Sequence, residues 1–127
     1  MKRAEEVYRK SLALIGETPG EENETLKERA VDIINVLLSQ LYELEYDLRG
    51  EVRPAGRVIP QIHALQEIVP FAEPILYTVL PLGLSGFLLM EEEPDRARFF
   101  LQLYHTEVEI LRRRSCRGTH HKIRRSV

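Results

Sequence analysis

Cysteine occurs once, at Cys116, and tryptophan not at all. A lone cysteine excludes an internal disulfide framework and fits a cytosolic setting or an assembled particle. Also missing are a Gly-rich phosphate loop, a nucleophile elbow and an HExxH pair, so nothing in the chain supports an enzyme. No long apolar run occurs either. The longest uncharged stretch, residues 74–90, is 17 residues and contains Pro81, Gly83 and Gly86. That is short of the roughly 20 residues a membrane span needs. Glu73 and Glu91–Glu93 bracket it where a basic flank or aromatic belt would be expected, so it reads as a buried central helix with no membrane contact. Met1-Lys2-Arg3-Ala4-Glu5-Glu6 is not the start of a secretory signal, because acids follow the bases at once.

The most informative absence is that of acid after Glu109. Residues 112–127 hold seven Lys or Arg and no Asp or Glu, a charge of +7. The preceding 111 residues hold 11 bases and 20 acids, a charge of −9, and the two parts leave the whole chain at −2. A near-neutral total thus conceals an acidic body (residues 1–111) and a basic C-terminal tail (residues 112–127). At 127 residues and 43% hydrophobic composition, the chain supports one core and no more.

Periodicity predicts helices. Residues 3–15 carry apolar Ala4, Val7, Tyr8, Leu12, Leu14 and Ile15, most of them on one helical stripe, and Gly16 supplies a left-handed stop. A long second helix starts near Asn23 or Thr25. It carries Ala30, Ile34, Leu37, Leu41, Leu44 and Leu48 at spacings of 4, 3, 4, 3 and 4, and ends at Gly50. Ile33, Val36, Leu38 and Tyr42 widen its stripe beyond a two-stranded coiled-coil seam.

Residues 51–70 are irregular. Arg53–Arg57 is turn-like, Val58-Ile59 suits a short extended piece, and Gln61–Val69 suits a short helix behind Pro60. A third helix follows from Ala72 or Pro74 to Met90, with Pro81 kinking or splitting it near Val79. Gly83 and Gly86 offer it a close-approach face. A fourth helix begins at Pro94-Asp95 and buries Ala97, Phe100, Leu101, Tyr104, Val108 and Leu111. It is expected to end at Arg112–Arg114, leaving a mobile tail. The fold class is therefore an all-α bundle of four main helices with an irregular central loop.

The residues capable of chemistry do not converge. Cys116, His120 and His121 are neighbours, but a structural zinc site needs a second ligand pair that is missing here. His63 has no acid or nucleophile at a telling spacing, and His105 follows a core position. Glu91–Glu93 with Asp95 read as a solvated turn whose charge favours the next helix start. No catalytic, metal or cofactor-binding residue is assigned.

The stretch Val79-Leu80-Pro81-Leu82-Gly83-Leu84-Ser85-Gly86-Phe87-Leu88-Leu89-Met90-Glu91-Glu92-Glu93-Pro94-Asp95-Arg96-Ala97-Arg98-Phe99-Phe100, continuing to Tyr104, resembles the head–tail connector (adaptor) proteins of tailed bacteriophages and prophages. Such proteins often carry a Leu-Pro and Gly-containing apolar helix, an acidic turn, and a helix with aromatic pairs and a Tyr. Ala13-Leu14-Ile15-Gly16-Glu17 resembles the close of their first helix, and a long amphipathic helix follows in both. The resemblance implies a structural subunit of a homo-oligomeric ring that joins portal to tail or neck proteins around the DNA channel, without a cofactor. Its place would be the virion, or the bacterial cytoplasm when a prophage is expressed.

Two sets of interaction residues are expected. Leu41, Leu44, Leu48, Gly83, Gly86, Phe99 and Tyr104 are candidates for a subunit or partner interface. Arg112, Arg113, Arg114, Arg117, Lys122, Arg124 and Arg125 are candidates for contact with a polyanion or an acidic partner. The alternative function is a small helical DNA-binding or regulatory protein using that tail, although no helix-turn-helix signature is present. An obligate dimer through residues 30–48 is a third reading.

Overall fold

A computed structural model describes residues 2–17, 24–50 and 59–126, with side chains described for 3–17, 24–48, 50 and 59–115. The described residues form an all-α bundle of four helices: α1 (Ala4–Ile15), α2 (Glu24–Arg49), α3 (Leu80–Leu89) and α4 (Pro94–Ser126). A five-residue π-helix, Ile75–Val79, leads directly into α3. Among the described residues, the one extended pairing is two residues long on each side, with β1 (Lys2–Arg3) antiparallel to β2 (Ile68–Val69).

Local signals fix most of these boundaries. Gly16 ends α1 at φ 83°, and the following Glu17 N–H reaches back to Leu12 O at 2.9 Å. Gly50 has φ 69° after the last residue of α2. At the other end of α1, the first free N–H groups find distant partners: Ala4 N donates to Glu67 O at 2.9 Å and Glu5 N to Leu65 O at 2.7 Å. The central segment therefore caps the first helix.

Central α3 is buried nearly all round, with Leu80, Pro81, Gly83, Leu84, Ser85, Gly86, Leu88 and Leu89 all enclosed. It packs against α1, α2 and α4. Glycine makes this possible on the α4 side. A Cβ on Gly86 would lie 2.6 Å from both Cγ and Cδ2 of Leu101, and one on Gly83 would lie 3.0 Å from Leu37 Cδ2 and Tyr104 Cδ2.

Pro81 divides the third helical segment between the π-helix and α3, as its position implies. In an α-helix the N–H at position 81 would reach Tyr77 O; the Lys10 ammonium donates to that carbonyl instead, at 2.5 Å. Residues 61–69 depart from expectation, since they form turns and then β2 rather than a helix. Their backbone groups are taken by side chains. The Asn35 amide pairs with Ile62 on both sides, Nδ2 donating to Ile62 O at 2.9 Å and Ile62 N donating to Oδ1 at 2.8 Å. Glu67 Oε2 accepts from His63 N at 2.5 Å and Ala64 N at 2.6 Å. Ile59 is not a strand, and the expectations for Asn23 and residues 51–58 lie outside the described residues.

The second departure is the length of α4. Its backbone stays helical to Ser126, well past the boundary expected at Arg114. The tail contains no proline, arginine is a good helix former, and cations near a helix C-terminus complement its dipole. Gly118 works against it, as do Thr119 and the like-charge pair Arg113 and Arg117.

Candidate interaction surface

Helix α4 presents three faces. Ala97, Phe100, Tyr104, Val108 and Leu111 form the buried one. Tyr104 sits deepest in its polar aspect: its hydroxyl donates to Gln40 Oε1 at 3.1 Å while its ring fills the space opposite Gly83. Burial pushes its phenol pKa up from 10.0 to about 12, against a smaller opposing pull from the Arg112 cation.

A second face borders two clefts that meet at His105. One, of about 380 Å³, is lined by Met90, Pro94, Ala97, Arg98, Leu101 and Gln102 together with His105. The other, of about 490 Å³, runs from Tyr104 and His105 past Val108 and Glu109 to Arg112, with Gln40 and Leu41 of α2 on its far wall. Arg98 edges the first, Arg112 the second, and His105 both. Glu109 lies 3.6 Å from Arg112.

The third face is apolar and open to solvent. Phe99 is 57% exposed, Leu103 37% and Ile110 36%. Their spacing of 4 and 7 puts them on one line of the helix, with exposed Thr106 between. The Phe99 ring is held edge-on against buried Phe100, with centroids 5.6 Å apart. Arg96 fixes the base of this face, donating to Glu93 and, at 2.9 Å, to Ile15 O at the end of α1.

Most residues expected at an interface pack within the chain instead. Leu41, Leu44, Gly83, Gly86 and Tyr104 are buried, and Leu48 is half-buried against the same core. Phe99 is the exception. Sequence reasoning overlooked Leu103 and Ile110, although both are apolar residues left over when the buried stripe of α4 is subtracted.

Arg112, Arg113 and Arg114 are exposed, and the side chains of Arg117, Lys122, Arg124 and Arg125 lie outside the described residues. So do those of Cys116, His120 and His121. Among the described residues, no group of three His, Cys, Asp or Glu side chains is arranged to hold a metal ion. A third cleft, of about 290 Å³, lies between α2 and the central turns, with Lys27, Glu28, Asp32 and His63 on its walls. No described helix is long and apolar enough to cross a membrane.

No protein-family model, no curated protein and no solved structure matches this chain.

Proposed function

We propose that the chain is a structural subunit of a phage or prophage head–tail connector ring, bridging portal and tail around the DNA channel. The observation that carries this reading is the exposed row Phe99, Leu103 and Ile110 on the helix that also builds the core. An apolar row on a chain this rich in charge favours burial against another protein. The resemblance of residues 79–104 to connector proteins adds to it, since that stretch is the α3–α4 hairpin from which the row projects. An acidic body suits a channel wall, because it repels DNA phosphates and does not hold the polymer in place. The setting is the virion, or the bacterial cytoplasm during prophage expression, and the role is structural rather than catalytic.

The test is light scattering on the purified chain, alone and mixed with the portal protein of its own genome. Rings of the chain, or its co-elution with portal in fixed stoichiometry, support the reading. A chain that stays monomeric alone and leaves the portal bare contradicts it.

A further inference from the structure

We propose that the C-terminal run of α4, positions 112–126, is a binding element for duplex DNA that holds the phosphate backbone without reading bases. This goes beyond the connector reading, in which the chain encloses DNA and need not touch it.

The backbone of α4 is one continuous helix to Ser126, whereas its last buried side chain among the described residues is Leu111. The helix therefore runs about 22 Å past its last core contact. Residues 112–126 hold seven Lys or Arg and no acid. Spread from 112 to 125, that is about one cation per 3 Å of axis, close to the one phosphate per roughly 3.4 Å of a DNA strand.

Helical register gathers these positions on one side. At about 100° per residue, positions 113, 117 and 124 fall within about 40° of one another and about 140–180° from Tyr104 on the buried face. Positions 114 and 125 make a second line about 90° away. The basic side of the helix is thus opposite the side that packs on the body, and Arg113 and Arg114 are exposed there.

The helix does not neutralise its own charge. Its last acid, Glu109, lies 3.6 Å from Arg112 and one turn before Arg113. Position 117 is about 12 Å further along the axis than Glu109, more than the Debye length of about 8 Å at physiological salt. A protein partner is the weaker fit to this run. The exposed apolar row of α4 stops at Ile110, and between 112 and 126 only Cys116 and Ile123 are apolar. A helix that docks in a protein groove needs apolar anchors at nearly every turn, whereas a phosphate backbone needs only cations and releases counterions when they bind.

Fluorescence anisotropy of the full chain on a labelled duplex, about two turns long, is the test. With six cations engaged and Arg112 left to Glu109, affinity should fall about a thousandfold between about 50 and about 200 mM salt. Two duplexes of unrelated sequence should bind within about threefold of each other. The comparison is one variant that combines Arg113→Gln, Arg114→Gln, Arg117→Gln, Lys122→Gln, Arg124→Gln and Arg125→Gln. Glutamine is a helix former close to Arg and Lys, so circular dichroism and Tm should match the parent. Its DNA affinity at about 50 mM salt should drop by about a hundredfold or more, and its salt dependence should nearly vanish. A parent that binds neither duplex at about 50 mM salt, or a variant that binds as the parent does, overturns the inference. A variant that keeps DNA affinity but loses portal overturns it too, and assigns the cations to an acidic protein. A parent that binds portal but not DNA leaves the connector reading standing. One that binds DNA and leaves portal bare overturns that reading and supports this one.

Discussion

The hydroxyls of Ser11 and Ser85 meet at 2.8 Å inside the seam between α1 and α3, where both residues are fully enclosed. Ser85 has one hydrogen to give and Pro81 O lies 2.8 Å away, so Ser85 donates there and Ser11 donates to Ser85. The bond joins two helices across a largely apolar seam. It also places a hydroxyl beside the proline turn.

Ser85→Ala strands the Ser11 hydroxyl in an apolar seam, whereas after Ser11→Ala the Ser85 hydroxyl still donates to Pro81 O. Ser85→Ala should lower stability by about 1–3 kcal/mol and Ser11→Ala by about 1 kcal/mol. The double variant should lose less than the two losses combined, because no orphaned hydroxyl is left. Urea unfolding of the four chains measures the coupling; strict additivity would show that the bond contributes nothing.

Lys10 and Pro81 should be coupled in the same way. The Lys10 ammonium occupies the Tyr77 carbonyl that position 81 cannot serve. Lys10→Met should cost about 1 kcal/mol in the parent. With Pro81→Ala, which restores an N–H to the helix, the same change should cost clearly less. A double-mutant cycle by thermal unfolding reads the difference.

The two glycines of α3 should not respond alike. Alanine is about 1 kcal/mol better than glycine in a helix interior. At Gly86 the new methyl would overlap Leu101 Cγ and Cδ2 at 2.6 Å and approach its backbone N at 3.3 Å, so the helices must separate. Gly86→Ala should destabilise by about 1–3 kcal/mol. Gly83→Ala meets Leu37 and Tyr104 at 3.0 Å and should cost less. The ordering of the two Tm values is the check.

Tyr104 gives the chain an alkaline limit. Its folded pKa, raised by burial to about 12, exceeds the 10.0 of the free group. Between those values the unfolded chain has released the phenol proton and the folded chain still holds it. Stability from this group is therefore intact below pH 10 and falls as pH rises toward 12. Tyr104→Phe loses the bond to Gln40, and its stability should decline less steeply over that window. Parallel slopes in parent and variant would contradict the assignment.

Elements set by local chemistry were legible in the sequence. Gly16 and Gly50 end helices, Pro94 starts one and Pro81 breaks one, each through its own backbone constraint. The 61–69 segment was not legible, because its backbone is claimed by Asn35 and Glu67 side chains and by a two-residue strand near the N-terminus. Only the fold brings most of those partners together. The interface candidates were partly legible for a similar reason. A heptad-like row such as Leu37, Leu41 and Leu44 says that a helix buries this face, but not whether its own chain or a copy does the burying. Here the chain's own core takes it, and the exposed row falls on α4.

Electron microscopy of the chain mixed with the portal of its own genome tests the connector role most directly. Expected are class averages with a ring of additional density, coaxial with the portal at one end and open along the axis. Bare portal particles beside unassembled chain would contradict it.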